Sequence, residues 1–449
     1  MRAGQEPEGT ITMGLKAVKF GGSSLASASQ IMKAAAILAS EPDRRYLVAS
    51  APGKRSGSDA KITDLLYQLY QQRGGDYGPT LALIKTRYTE IADELGVNVD
   101  LNTEFVTIEE HLTAADDAQY FASRGEYLNS LLIAAYLGWT FVDAAAVIRF
   151  TDSGDLDADQ TDRLLKEALL TVDRAVVPGF YGATAQGKIR TFSRGGSDVT
   201  GALVASAVGA DVYENWTDVS GILMADPRIV DSPGPIARIS FTDLRKLTYL
   251  GASVLHEDAI NPVRVLGIPI NIRNTNRPLD EGTWIQADAG TPDSTVDPQS
   301  TIPAIIGLAG KTGYTAVTVH KAQWSGSVGV GSGLLRLFDE AQIIVDLVMT
   351  SVDTYTFAFR CDPTSLESLL IRIGTLDPDS VEIRDGLALI GAVSSRTVAS
   401  AVVSARLAQA MAAAEIEVVV ASSGDDTHIV AVDESDYKEA LRGAYLGLT

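Results

Sequence analysis

Between residues 15 and 50, two short apolar runs, LKAVKF and RYLVAS, flank the amphipathic stretch Ile31 to Leu38. The alternation continues along the chain. ITDLLYQLYQQR, LALIKTRYTEIADELG and EYLNSLLIAAYLG carry helical periods, while DRAVVPGFYGAT and DVYENWTDVSG are strand candidates flanked by Gly and Pro. Strands that alternate with helices of this length predict a largely parallel sheet covered on both faces. Ligands of such sheets bind beyond the carboxyl ends of the strands. Lys19, Gly21 and Gly22 fall where the first strand gives way to the first helix, so they belong at that edge.

A chain of 449 residues has room for about three domains at ~150 residues each. Its 46% hydrophobic and 21% charged residues are those of an ordinary globular protein. A net charge of -20 excludes the broad basic footprint that nucleic acid or an anionic membrane requires, so any anionic ligand must meet local cations. The single cysteine, Cys361, excludes an internal disulfide and a cysteine zinc cluster, and suits a reducing cytoplasm. Residues 1 to 14 lack the apolar core of a signal peptide and read as a loose tail, with Met13 an alternative start. The most apolar long stretch, YLNSLLIAAYLGWTFVDAAAVI, contains Asn129 and Asp143 and breaks at Gly138, which predicts helix, turn and strand of a core rather than a membrane span.

In VKFGGSS the glycine pair lets the backbone approach a bulky ligand, and the following helix offers free amides and a partial positive charge. A phosphate fits such a place, and Lys19 would aim a compact cation at the same oxygens. The competing reading is a tight turn beside a solvated lysine; the run is neither a Walker A loop nor a GxGxxG fingerprint. TFSRGGSDVTGALVASAVGA, residues 191 to 210, repeats the device. Gly195 and Gly196 precede Ser197 and Asp198, which read as caps of a helix through Ala202 to Val208. Arg194 can fork onto a carboxylate, and Asp198 can hold an amine or orient other groups. The plain alternative is a capped helix with a surface Arg and Asp.

Four segments together resemble the aspartate kinases of the amino-acid kinase superfamily: VKFGGSS, SRGE at 123 to 126, SRGGSD, and ENWTDVSGILMADPRIV at 214 to 230. The resemblance implies a mostly parallel sheet between helices, with a catalytic domain over residues 13–290. It implies that Lys19 neutralises the transferring phosphoryl group and the acceptor carboxylate, with Asp198 beside it as a second catalytic residue. Arg194 would grip the α-carboxylate of aspartate, Glu126 and Asp198 would face its ammonium group, and Ser50 and Thr63 match polar positions near the acceptor. Gly21, Gly22, Ser23, Thr217, Asp218, Asp226 and Arg228 match the nucleotide-binding positions, Lys19 also serving there; a turn held by Asp226 and Pro227 is the alternative for the last four. Two departures stand out. Leu223 replaces an aromatic residue and Ser253 a lysine, for which Lys54, Arg55 or Arg273 are candidate substitutes. His256 is expected to be a structural hydrogen bonder.

Residues 287 to 303, rich in Asp, Pro, Ser and Thr, read as a linker. Beyond it, two halves repeat the order strand, helix, strand: YTAVTVH, GLLRLFDEAQIIVD and TYTFAFR, then LALIGAV, ASAVVSARLAQAMAAAEIEVVV and THIVAVD. Each half resembles an ACT module, an α+β ferredoxin-like unit, over residues 303–376 and 380–449. In related proteins the strand before the first module completes the second. The first half keeps more of the effector pattern, with Gly333, Leu334, Val345, Asp346 and Ser351 at matching positions. Amides of the helix start near Gly333 would meet an effector's carboxylate and Asp346 its ammonium. The alternative is a pair of packing modules without a ligand.

The expectation is an ATP-dependent kinase that converts L-aspartate to 4-phospho-L-aspartate, the first step toward lysine, threonine and methionine. Magnesium enters with ATP, held by its phosphates, with no metal site of the protein's own. Lysine or threonine would be the effector, the chain would be cytoplasmic and would form a homo-oligomer through its ACT modules, and nucleic acid and membranes are not partners. The end of the chain after the second module implies no fused homoserine dehydrogenase. A kinase of the same fold acting on glutamate and an inactive amino-acid sensor are the other readings.

Overall fold

The computed structural model describes residues 14–113, 117–193, 195–252, 255, 257–287, 305–324, 328–395, 398–424 and 426–449. Met13, Arg194, Ser253, His256 and nearly all of the 287–303 segment lie outside these residues. The chain divides into two compact units, the first made of Met1–Ile222, Pro235–Thr242 and Val254–Ala289, the second of Leu223–Gly234, Asp243–Ser253 and Gly290–Thr449.

The first unit is built on eight strands: β1 Lys16–Phe20, β2 Arg44–Ala49, β3 Thr140–Phe141, β4 Ala175–Pro178, β5 Val212–Thr217, β6 Arg238–Ser240, β7 Ile270–Asn274 and β8 Thr283–Gln286. Their order is β6-β8-β7-β5-β1-β2-β4-β3. All neighbours run parallel except β7 and β8. The strand DRAVVPGFYGAT is not continuous: Phe180 has φ 78° and ends β4, after which Tyr181–Thr184 joins a separate small sheet.

Three helices position the strand ends. α1, Ala28–Ser40, begins at Ser27, whose hydroxyl accepts from the Gln30 amide, and its apolar side packs in one core with Val18, Phe20, Leu47 and Trp216. α2 is Ala118–Leu137 and α3 is Gly196–Ala207. Because side chains alternate along a strand, Lys16, Glu214 and Trp216 share the α1 face, whereas Lys19, Tyr213 and Asn215 share the α3 face. On the α1 face the buried Glu214 carboxylate accepts Arg44 Nε at 2.8 Å, Lys16 Nζ at 3.1 Å and Trp216 Nε1 at 2.8 Å. Burial works to raise its pKa, but the Arg44 bonds and the Arg44 and Lys16 charges prevail and hold it below the ordinary value. This cluster ties β1, β2 and β5 together beneath the Lys19 edge; removing one member of such a buried set costs about 3–5 kcal/mol.

The second unit carries a six-stranded antiparallel sheet of β9 Ile305–His320, β10 Val345–Ser351, β11 Thr354–Phe359, β12 Ser380–Ser394, β13 Val420–Ser423 and β14 Thr427–Asp433, in the order β10-β11-β9-β12-β14-β13. Against it lie α4 Phe241–Leu250, which enters this unit from Asp243 onward, α5 Val330–Glu340, α6 Pro363–Gly374, α7 Ser400–Ala413 and α8 Tyr437–Leu448. The two long strands each serve twice. The later half of β9, Thr315–His320, pairs with β11 and with the start of β12, whereas its earlier half, Ile305–Lys311, pairs with the end of β12, which in turn pairs with β14. Register shifts between Lys311 and Ala316 mark the change. Two four-stranded ferredoxin-like sheets are thereby fused edge to edge. YTAVTVH and LALIGAV are parts of these continuous strands, and β12 supplies the fourth strand of one half before it starts the other.

Candidate active site

β1 delivers Lys19 to the carboxyl edge of the sheet, where its side chain is 10% exposed. Its ammonium lies 2.6 Å from Asp198 Oδ1 and donates to Asn215 Oδ1 at 3.3 Å, while Asn215 Nδ2 donates to the same Asp198 oxygen at 2.8 Å. Lys19 and Asn215 are direct partners in the β1–β5 register, and Asp198 stands in the first turn of α3. A desolvated cation is thus held by one carboxylate and one amide, both exchangeable for ligand oxygens.

The glycine turn adjoins this cluster: a methyl group on Gly21 would sit 3.6 Å from Lys19 Nζ. The expected helix does not start at the pair. Gly22–Leu25 forms a single 3-10 turn, with Ser23 half-buried within it, and α1 follows from Ala28. Gly22 instead meets the loop after β2, where the Gly53 amide donates to Gly22 O at 2.8 Å and a Cβ on Gly53 would come within 2.7 Å of Gly22 C. Arg87 braces the same contact, donating to Ala26 O at 3.3 Å, to Gly53 O at 3.2 Å and to Asp59. At the second motif, α3 starts at Gly196 after Gly195, whose φ is 55°, and no side chain caps it. Ser197 and Asp198 therefore lie inside the helix rather than capping it, which leaves the Asp198 carboxylate available to Lys19. A Cβ on Gly196 would strike Phe180 Cδ2 at 2.6 Å.

α2 supplies the acidic group. Gly125 packs on Ala51, and Asn129 Nδ2 donates to Ser50 O at 2.7 Å, so the helix is seated on the loop that leaves β2. Glu126 is consequently buried, and that burial pushes its carboxyl up to about 8, against the downward pull of the Ala51 amide. Its Oε2 has no hydrogen-bond partner among the described residues. A buried acceptor without a donor invites an ammonium group. Ser50 is buried at the end of β2, and Thr63, half-buried, opens the helix Ile62–Gln71 beside Ile62, which packs near Gly125.

Two of the candidate substitute cations are committed elsewhere. Arg55 donates to Asp59 at 3.1 Å and Glu90 at 2.9 Å. Arg273 stacks on Trp216 at 4.7 Å and donates to Pro278 O at 2.8 Å, which places it on the α1 face, away from Lys19. Lys54 is exposed on the same loop as Arg55. Thr217 ends β5 and donates to Asp218 at 3.2 Å. In the second unit, Arg228 is forked onto Asp226 at 2.6 and 3.0 Å in a turn closed by the Ile229 and Val230 amides on Asp226 O. Leu223 is half-buried. No group of three or more His, Cys, Asp or Glu side chains among the described residues could hold a metal ion, and no described helix is long and apolar enough to cross a membrane.

The regulatory candidates fall on a helix and on a strand. α5 begins at Val330, so the Gly333 amide is already bonded to Gly329 O at 2.9 Å and is not available to a carboxylate. Leu334 is fully buried in the core with Phe338 and Phe357, with Val345 packed at its border. Asp346 and Ser351 lie on the edge strand β10, Ser351 exposed at its end.

Asn215 and Arg87 escaped sequence reading. The alternation in VYENWT places Asn215 on one face, but only the pairing of β5 with β1 makes it Lys19's neighbour.

The sequence profile of the amino acid kinase family matches residues 14–274. Aspartokinase 3 of Bacillus subtilis is 32% identical over 455 residues, covering 96% of this chain and 98% of that protein. The crystal structure of an aspartate kinase from Clostridium acetobutylicum, described as allosteric, superposes with a TM-score of 0.83 at 37% identity, covering 97% of this chain and 100% of that one. Aspartokinase III of Escherichia coli shares the fold at 24% identity over 97% of this chain and 99% of its own. Its TM-scores are 0.74 for the complex with aspartate and ADP and 0.70 for the complex with lysine and aspartate.

Proposed function

The chain belongs to the amino acid kinase family and is an aspartate kinase, and from that premise we propose that the Lys19, Asp198 and Asn215 cluster carries the phosphoryl transfer. A β-carboxylate oxygen of aspartate forms the new bond to the γ-phosphorus of ATP as the bond to the bridging oxygen breaks and ADP departs. Charge spreads over the peripheral oxygens, and catalysis consists of positioning and neutralising it. Lys19 exchanges its Asp198 contact for those oxygens, while Asn215 keeps Asp198 oriented. Glu126, with its unpartnered oxygen, accepts the substrate ammonium group, and Arg194 takes the α-carboxylate; Ser50 and Thr63 border the acceptor. Gly21, Gly22, Ser23, Thr217, Asp218, Asp226 and Arg228 form the nucleotide side, Arg228 turning from Asp226 to phosphate. Mg2+ enters on the phosphates of ATP.

The catalytic domain spans residues 13–290, and the ACT modules 303–376 and 380–449 share β9 and β12. Asp346 receives the ammonium group of lysine or threonine, with Val345 and Ser351 on the same strand. Exposed Ile344 and Val352 flank the unpaired edge β10, which supports association of two chains through these modules. The composition supports a cytoplasmic setting. The deciding assay measures ADP release with aspartate, with glutamate and without acceptor; turnover with aspartate alone is expected, and equal rates with glutamate would overturn the acceptor assignment. Inhibition curves with lysine, threonine and both test the regulatory half.

A further inference from the structure

Asp346 is not waiting as an open acceptor. It is the extra residue of a β-bulge, since Val345 pairs with Phe359 and Leu347 with Ala358, and bulges turn a side chain out of the ladder. The turned-out carboxylate accepts the Tyr249 hydroxyl at 2.7 Å and also hydrogen-bonds the Tyr314 phenol. Burial and the Asp346 carboxylate together push the Tyr249 phenol up to about 12, so it remains a donor at every working pH. Lys311 Nζ lies 4.9 Å from the Tyr249 ring centre and helps to hold that ring in place.

Tyr249 comes from α4, whose neighbouring residues on the same broad face are fastened to different strands. Lys246 bonds Asp426 and, at 2.9 Å, Asp243; Leu250 covers Gly391, where a Cβ would stand 2.3 Å from Leu250 Cδ2; Leu247 touches Gly307. Gly391 and Gly307 lie in the half of the sheet that contains β14, and Asp346 in the half that contains β11. One helix therefore touches both halves, and among its contacts the Tyr249 hydroxyl reaches the Asp346 half at the residue assigned to the effector.

We propose that Tyr249 is a built-in competitor at the effector site: its hydroxyl occupies the Asp346 oxygen that an amino acid's ammonium group takes, so effector binding and the α4 contact exclude one another. This rests on the reading of Asp346 as the ammonium acceptor. A charged donor forms the stronger bond to a carboxylate than a phenol does, so the effector can displace the hydroxyl, and the affinity it expresses is reduced by the occupancy of the Tyr249 bond. Because α4 continues in sequence into Pro235–Thr242 on one side and Val254–Ala289 on the other, releasing Tyr249 is the step by which effector occupancy is felt in the catalytic chain.

The test uses the full chain and its Tyr249→Phe variant, which keeps the ring but not the hydroxyl. Binding of L-lysine and of L-threonine is measured by titration calorimetry, and inhibition by ADP release at saturating effector. The variant should bind the effector more tightly by about 10-fold or more, as expected for removal of one competing bond to a charged group, and yet be inhibited less completely at saturation. Equal dissociation constants and equal maximal inhibition would overturn the competitor role while leaving Asp346 as the effector's partner. Failure of the wild type to bind either amino acid would overturn the effector reading, and the competitor with it.

Discussion

Replacing Glu126 by glutamine should make the protein more stable and its grip on aspartate worse. The carboxyl stands at about 8 in the fold against an ordinary 4.5. A raised acid is stabilising only while protonated: below pH 4.5 folded and unfolded states bind the same proton, and as pH rises through the window to 8 the unfolded chain ionises first, so stability falls. At ~1.4 kcal/mol per unit the loss by pH 8 is about 5 kcal/mol. Glutamine mimics the protonated acid, so the stability difference between variant and wild type should be small at pH 5 and grow to several kcal/mol at pH 8. Substrate reverses the preference. An ammonium group beside Glu126 favours the carboxylate, so at pH 7, where about nine in ten free sites are protonated, aspartate should displace nearly one proton, and its apparent affinity should improve about tenfold between pH 7 and 9. Calorimetry in two buffers of different ionisation enthalpy counts the proton, and urea melts at pH 5, 6.5 and 8 read the stability. A wild type that releases no proton on binding aspartate, or melts that keep a constant offset across pH, would refute the assignment of Glu126 to the substrate ammonium.

Lys19→Ala should lower kcat by about 100-fold or more, as for loss of a preorganised cation, and near-normal turnover by folded variant removes Lys19 from the mechanism. Arg194→Ala should raise KM for aspartate and spare KM for ATP; the opposite split reverses its assignment. Gly196→Ala forces a methyl into Phe180 and should cost about 1–3 kcal/mol of stability, which a thermal melt would show as a fall in Tm; an unchanged Tm means that the Phe180 turn yields.

The two glycine motifs were sufficient to bring Lys19 and Asp198 to one edge, because each follows from a local pattern of strand, turn and helix. What they did not reveal is long-range. Asn215 joins the cluster through a register between strands 196 positions apart, and Glu214, beside it, looks no different in sequence although it faces the opposite side. The charge of Arg55 was visible but not its commitment to Asp59 and Glu90. Gly333 has the right residue type for a helix start, yet α5 begins three residues earlier and uses its amide. Asp346 was legible as an acceptor; the hydroxyl that already occupies it comes from a helix 97 residues away.

The shared strands β9 and β12 change what the carboxy-terminal half is as a physical object. Cleavage after α6 would not release one finished module: the first would lose its start-of-β12 strand, and the second would lose the Ile305–Lys311 strand left behind on the other fragment. Neither piece can close its own sheet, so the two must melt as one cooperative block, and amides in the earlier half of β9 should exchange with solvent as slowly as those in its later half. A twist imposed at β10 is likewise carried along β9 and β12, and what reaches the second module is set by how much the register shifts between Lys311 and Ala316 absorb.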